Sequence, residues 1–535
     1  MKSLMKTTLT IILLALTTMA VADPVAPTPI NNFTEDNTIN LTANDGVQLD
    51  ANLFQPIDRG KAAKHPVIIF VNSWGFNKEE YTPQAKIFAA DGYIVLSISA
   101  RGWGKSGGVV DVAGPQDVAD VENAIDWVGQ HVPNADMNKI GMAGISYGAG
   151  ITLLTAAQDP RIKAVAAMSG WANLNDSLYG EQSFSTIWGN LLITDGKLKG
   201  NLDGSLPQMV KDFEHHENVD TAVQWAQMRS ANTHMAGLNR KGLAIDLSNN
   251  FEDRIFRSNY MLSFYENLKG PKHMDLNQGM HAAPDFQGMT QPNSLIWQHA
   301  HMWFDHYLKG QKSGATQLPS LMMQVRNTKQ YESFANWPST NVHQQQYYLS
   351  PRVLIKRGSL QTRPEVIPAS NTIKFGKFAG VSSGIPIISM RKQTTKGIPI
   401  TTNVDLIRPD VAIGYRTPVL KQAEAIRGNP QVTVWVTPKN PQWQLVAYLY
   451  DVGPRGKAAL ISQAPVAHYN DTVGKAIKVT FPLRSVAYNV PAGHQIELAL
   501  ATHDVLYSGV PQTDFSVKID YGMFKQSRLT LPLEA

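Results

Sequence analysis

The 535-residue chain contains no cysteine. That excludes disulfides, a thiolate metal site and a lipid-anchoring cysteine, and leaves stability to core packing. Charge is sparse as well. Lys and Arg total 48 against 43 Asp and Glu, a net of +5, and no dense basic stripe exists anywhere. Nucleic acid is therefore not an expected partner. Beyond the N-terminus no stretch stays apolar for the ~20 residues a bilayer crossing needs, so no membrane span is expected in a mature chain. There is no internal repeat and no low-complexity tract. What the chain does have is 43% hydrophobic residues with only 17% charged, enough for a sizeable core.

Length suggests two to four domains. Residues 1–22 read as a secretory signal: Lys2 and Lys6 ahead of the apolar run Leu9 to Leu16, then Ala20-Val21-Ala22 as a small-x-small cleavage site. Export follows, to the periplasm or the medium; removing two lysines leaves a net charge near +3. Residues 23–38 are Pro-, Asn- and Thr-rich and suggest a mobile leader. Two strands are expected around the turn Asn44-Asp45-Gly46.

Strands and helices then alternate. Val67 to Val71 is a continuous apolar, β-branched run, as a strand buried on both faces requires. Tyr93 to Ile98, Lys139 to Ala143, Ala164 to Met168, Leu243 to Ile245 and Lys272 to Leu276 extend the pattern. Between them, Val118, Val121, Ile125 and Val128 mark one helix face. This is the rhythm of a parallel sheet covered by helices, expected over 39–310. The rhythm breaks at about 172–240, which predicts a helical cap inserted over the sheet. From 311 to 535, short β-type segments with frequent Pro and Gly and no helical stretches predict an all-β sandwich.

The chemistry-bearing motif is Gly144-Ile145-Ser146-Tyr147-Gly148, between an expected strand and a small-residue helix. A serine on such a strained turn projects its hydroxyl above the sheet, and the glycines let strand and helix approach. A serine hydroxyl needs a base, oriented by an acid, and the chain order in this kind of site is Ser, acid, His. Asp253 follows the strand at Leu243; Glu252 is its neighbouring rival, and Asp246 lies too early, inside the strand. His281 follows the next strand and can swing over Ser146, whereas His273 falls within that strand and reads as structural. His215-His216 lack partners at metal-ligand spacing and read as an exposed part of the cap. One oxyanion donor is expected from the backbone N–H of Tyr147, the other from the loop Asn72-Ser73-Trp74-Gly75. The glycine-rich stretch Arg101 to Gly108 lacks the P-loop pattern and reads as a tight turn near the site mouth.

These residues, in this order, resemble the X-prolyl dipeptidyl peptidase and cocaine esterase family of serine hydrolases. The likeness rests on Arg101-Gly102-x-Gly104-x-Ser106-Gly107, Gly144 to Tyr147, Arg229-Ser230, Phe251-Glu252-Asp253 and Trp303-Phe304-Asp305 with Leu308-Lys309-Gly310. Further on it rests on Trp337-Pro338, Tyr347-Tyr348-Leu349, Leu449-Tyr450-Asp451-Val452 and Pro491-Ala492-Gly493-His494. The resemblance implies an α/β-hydrolase core with a helical cap, a C-terminal jelly-roll-like β-domain, and a triad mapping onto Ser146, Asp253 and His281. It implies acyl transfer to water through an acyl-serine, with no metal or organic cofactor. The chain departs from the family where many members carry an oxyanion tyrosine: Trp74 stands there. Ser230-Ala231 departs too, where a Ser-Pro pair is frequent.

The expected function is hydrolysis of a carboxylic ester, with an amide, β-lactam or X-Pro peptide as the alternative and Glu181, Asp212, Glu214 and Glu217 as candidate ligands for a substrate amine. A different class of reading is an inert hydrolase fold whose β-domain binds carbohydrate. The expected partner is a small-molecule ester or short peptide, and the sequence leaves a homo-oligomer open.

Overall fold

A computed structural model describes residues 32–57, 63–354, 356–508, 510 and 514–535. The expected signal segment lies outside the described residues.

The first ten strands are β1 (Phe33–Thr42), β2 (Gln48–Pro56), β3 (His65–Val71), β4 (Ile94–Ile98), β5 (Ala135–Ile145), β6 (Ile162–Met168), β7 (Ala244–Asn250), β8 (Lys272–Asn277), β9 (Leu321–Gln324) and β10 (Tyr331–Phe334). They form one sheet in the order β1-β2-β4-β3-β5-β6-β7-β8-β9-β10. From β4 to β9 all neighbours are parallel. Strands such as β4 and β7 are buried along their whole length. Burial on both faces is what a parallel sheet between helix layers demands; β4 is apolar but for Ser97, whereas β7 also buries Asp246, Ser248, Asn249 and Asn250.

Helices α1 (Thr82–Ala90), α2 (Pro115–His131) and α3 (Tyr147–Gln158) follow β3, β4 and β5 in turn. Five helices then intervene between β6 and β7: α4 (Leu174–Tyr179), α5 (Thr186–Lys199), α6 (Ser205–His215), α7 (Val219–Gln227) and α8 (Met235–Leu238). After β7 come α9 (Ser258–Glu266), α10 (Ala283–Thr290) and α11 (Leu295–Tyr307). Trp297 on α11 is fully buried and meets Phe70 of β3 edge-on at 6.0 Å between ring centroids. Phe304 and Leu308 lie where a Cβ on Gly141 of β5 would sit, so that glycine lets α11 seat on the sheet.

The remaining strands, from Val342–Ser350 to Arg528–Glu534, join a second, 14-stranded sheet. Its strands share an apolar core that includes Leu349, Val434, Leu445, Phe481, Leu498 and Leu531. The α/β core followed by an all-β domain is the architecture the sequence leads one to expect.

Three boundaries differ from expectation. β1 begins at Phe33 and pairs with β2 from Phe33↔Pro56 onward, so residues 33–38 are strand and not leader. Its exposed polar face hides the periodicity. The first sheet runs past residue 310, because β9 pairs with β8 and β10 with β9. The β-domain also carries a helix, α12 (Ile388–Lys396), closed by Gly397 in the left-handed region. Only Met390 and Gln393 of that helix are buried, so no apolar stripe announced it.

Candidate active site

Ser146 sits between the end of β5 and the start of α3, with φ 56° and ψ −113°. A non-glycine residue held there is strained, and such strain persists only where the surroundings enforce it. Here they do. The Ser146 N–H donates to Met168 O at 2.8 Å. A Cβ on Gly144 would lie 2.4 Å from the Gly148 carbonyl carbon, and one on Gly148 would lie 2.1 Å from Val71 O. Both glycines are therefore required by close backbone approach.

The structure brings the three expected residues together. Ser146 Oγ lies 2.8 Å from His281 Nε2, and His281 Nδ1 lies 2.7 Å from Asp253 Oδ2. Asp253 is fully buried, and its Oδ1 accepts the backbone N–H groups of Ile255 (2.8 Å) and Phe256 (2.9 Å). Its second oxygen is thereby left to face the imidazole. The Phe256 ring packs edge-on against His281, with ring centroids 5.1 Å apart.

The rivals take other places. Glu252 does not contact His281. Its Oε2 accepts Gly279 N–H at 2.7 Å, while Oε1 meets Gln393 Nε2 of α12 at 3.1 Å and Arg326 Nε at 2.8 Å. The Met280 N–H donates to Thr394 Oγ1 at 2.9 Å. The acid-bearing and base-bearing loops are thus tied to each other and to the β-domain helix, a link that no sequence pattern signalled. Asp246 and His273 are buried deeper in the sheet, and His216 stacks on Tyr469 at 3.4 Å.

The Trp74 indole N–H donates to Leu192 O of α5 at 3.0 Å and so is committed to the cap. The backbone N–H groups of Trp74 and Tyr147, by contrast, find no acceptor among the described residues. Trp74 and Tyr147 line the same cavity as Ser146, which is where the two donors to an oxyanion are expected. Trp74, Trp103 and Tyr147 interlock edge-to-face, with Trp103 supplied by the Arg101–Gly108 loop. Arg101 in that loop is held by Asp120 (both contacts 2.7 Å) and by Asp45 (2.9 Å), a structural turn as expected.

Beneath the elbow, the Tyr147 hydroxyl donates to Asp117 Oδ2 at 2.5 Å, and Ala113 N–H donates to the same oxygen at 2.8 Å. Burial pushes the Asp117 carboxyl up to about 7, with Asp111 nearby adding to the shift. Behind the triad, Asp285 accepts Ser169 Oγ at 2.5 Å and Asn250 Nδ2 at 3.1 Å, and burial raises it too.

Asp117 yields a pH prediction. Its folded pKa lies above the free value of 3.8, so the folded protein keeps a proton that the unfolded chain has released. Stability is then intact at low pH and declines as pH climbs from about 4 towards about 7. Asp117→Asn keeps both acceptor bonds through its amide oxygen and removes the titration. Its stability should fall less over that window, by up to ~1.4 kcal/mol per pH unit. Urea unfolding of both proteins near pH 5 and near pH 7 measures this, and identical slopes would refute it.

With this geometry in place, comparison with known proteins places the chain. A family model described as X-Pro dipeptidyl-peptidase (S15 family) matches residues 45–283. The model of the X-Pro dipeptidyl-peptidase C-terminal non-catalytic domain matches 313–530. A Bacillus anthracis protein provisionally named Xaa-Pro dipeptidyl-peptidase is 22% identical over 485 residues, covering 83% of this chain and 73% of its own. A CocE/NonD family hydrolase from Staphylococcus aureus shares the fold at TM-score 0.71 and 14% identity, over 93% of both chains. An α-amino acid ester hydrolase does so at TM-score 0.70 and 15% identity, over 97% of this chain and 99% of its own. Two matching domains in the expected order, around a hydrogen-bonded Ser–His–Asp set, show that the chain belongs to the X-Pro dipeptidyl-peptidase (S15) family and is a serine hydrolase.

Proposed function

We propose that the chain hydrolyses carboxylic esters with apolar acyl groups. The observation that carries this reading is the cavity over Ser146 and His281. Its walls are side chains such as Trp74, Leu178, Leu192, Trp225, Ile255 and Phe256. Among the described residues, no Asp or Glu lines it. A substrate with a free amine, such as an X-Pro dipeptide, would bring its ammonium into this apolar space without a counter-charge, which is strongly unfavourable. Glu181, Asp212, Glu214 and Glu217, the candidate amine ligands, lie outside the lining.

In the proposed reaction, His281 Nε2 takes the Ser146 proton as Oγ attacks the ester carbonyl. Asp253 keeps the imidazole in the tautomer with its free nitrogen toward Ser146 and stabilises the imidazolium. The backbone N–H groups of Tyr147 and Trp74 hold the oxyanion. His281 returns the proton to the leaving alcohol, and a water activated by the same imidazole then releases the acid from Ser146. The esterase reading also accords with a Mycobacterium bovis relative provisionally named serine esterase, 20% identical over 92% of this chain. The X-Pro peptidase reading is favoured by the family's own name. The inert carbohydrate-binding reading finds no support in a complete, hydrogen-bonded triad.

A substrate series separates the two enzyme readings. Each methylene added to the acyl chain of a p-nitrophenyl ester buries ~0.8 kcal/mol of apolar surface, so kcat/KM should rise roughly fourfold per carbon until the cavity fills. Alanyl-prolyl-p-nitroanilide should be turned over far more slowly than the best ester. A flat ester series with faster anilide cleavage would reverse the assignment.

We also propose export, on the basic, apolar and Ala-Val-Ala features of residues 1–22. N-terminal sequencing of the protein made in its native host should find a chain beginning at Asp23. A chain beginning at Met1 would contradict export.

A further inference from the structure

We propose that His273, Asp275 and His299 form a binding site for one divalent first-row transition-metal ion of the zinc type, remote from the hydrolytic machinery. His273 and Asp275 are two apart on β8 and so project from the same face of the sheet, toward α11, which supplies His299. Among the described residues this is the one group of three His, Asp or Glu side chains whose ligand atoms lie mutually within 4.8 Å. All three are buried, with side-chain exposures of 0%, 1% and 7%.

Two of the spacings match the edges of a tetrahedral coordination sphere. His273 Nε2 lies 3.3 Å from His299 Nδ1 and 3.4 Å from Asp275 Oδ1. Zinc bonds of about 2.0–2.1 Å in a tetrahedron place neighbouring ligand atoms about 3.3–3.4 Å apart. His299 Nδ1 also lies 2.7 Å from the other carboxylate oxygen, Asp275 Oδ2, a hydrogen bond that an ion bound by all three residues would replace. The supporting contact is of the right kind. His273 Nδ1 lies 2.7 Å from Pro319 O, which fixes a proton on Nδ1 and turns the Nε2 lone pair inward. Metal-bound histidines regularly donate their second N–H to a carbonyl in this way.

Two buried carboxylate oxygens have capacity left for a cation. Asp246 Oδ1 and Asp275 Oδ1 make no hydrogen bond, the latter having only His273 Nε2 at 3.4 Å. Asp246 faces His273 directly in the β7–β8 register. Asp246 and Asp275 thus set two carboxylates beside two imidazoles in one buried space, a donor set that suits a divalent cation. Imidazole nitrogen with carboxylate oxygen suits zinc better than magnesium or calcium, which favour all-oxygen sites.

The test uses the full chain, purified without a metal-affinity step, stripped with a chelator and dialysed. Zn2+ is then titrated in competition with a chromophoric chelator. One Zn2+ per chain is expected, together with a rise in melting temperature. Because His281 and Asp253 are also metal-capable, the titration is repeated on His281→Ala, which should bind equally well. His299→Gln should bind on the order of 100-fold more weakly or worse. Should that variant fold poorly, the absorption spectrum of Co2+ bound to the unaltered chain serves instead: intense visible bands of a four-coordinate ion are expected. Absence of stoichiometric binding, binding lost in His281→Ala, or a six-coordinate Co2+ spectrum would overturn the proposal and leave a hydrogen-bonded His–Asp–His cluster.

Discussion

The close approach of strand β5, helix α3 and the end of β3 governs the site. Gly148 passes so near Val71 O that a single added carbon would lie 2.1 Å from it. That contact forces the chain to turn at Ser146 with a positive φ, and the turn aims the hydroxyl out of the sheet. It also leaves the Tyr147 N–H at the head of α3 without an intrahelical acceptor, free for an anion. The proposed nucleophile and oxyanion donor thus arise from one backbone constraint. The strain is sustained by the packing of Trp103, Trp74 and Tyr147 and by the Tyr147–Asp117 hydrogen bond beneath.

The second requirement is that two loops from neighbouring strands meet above the serine. Asp253 is oriented by its own loop, through two backbone N–H groups that occupy one carboxylate oxygen. His281 is oriented from outside. Glu252, Arg326, Gln393 and Thr394 connect its loop to the acid loop and to the β-domain. Residues 33–535 form one compact unit, and these contacts give that union a role in the chemistry. The C-terminal domain contributes no member of the triad yet holds the loop that carries the base.

Much of this was legible in the residues. Parallel strands buried on both faces are mostly apolar, so β3, β4 and β6 stood out, and the strand order made Ser146, Asp253 and His281 the natural set. Other features depend on three-dimensional context. Glu252 and Asp253 are adjacent and both acidic; only the fold turns one to the imidazole and the other to Arg326. Trp74 stands where many family members carry an oxyanion tyrosine, but α5 captures its indole N–H. Helix α12 lacks an apolar stripe because it packs through only two buried residues. The His273–Asp275–His299 cluster joins strand to helix across 24 residues of chain, so no local spacing motif encoded it.

The central claim is that Ser146, activated by His281, is the nucleophile. The most direct measurement is mass-spectrometric peptide mapping after exposure to a fluorophosphonate, which captures activated serines. A single adduct on Ser146, lost in His281→Ala, is the predicted result. No adduct, or an adduct on another serine, would contradict the account.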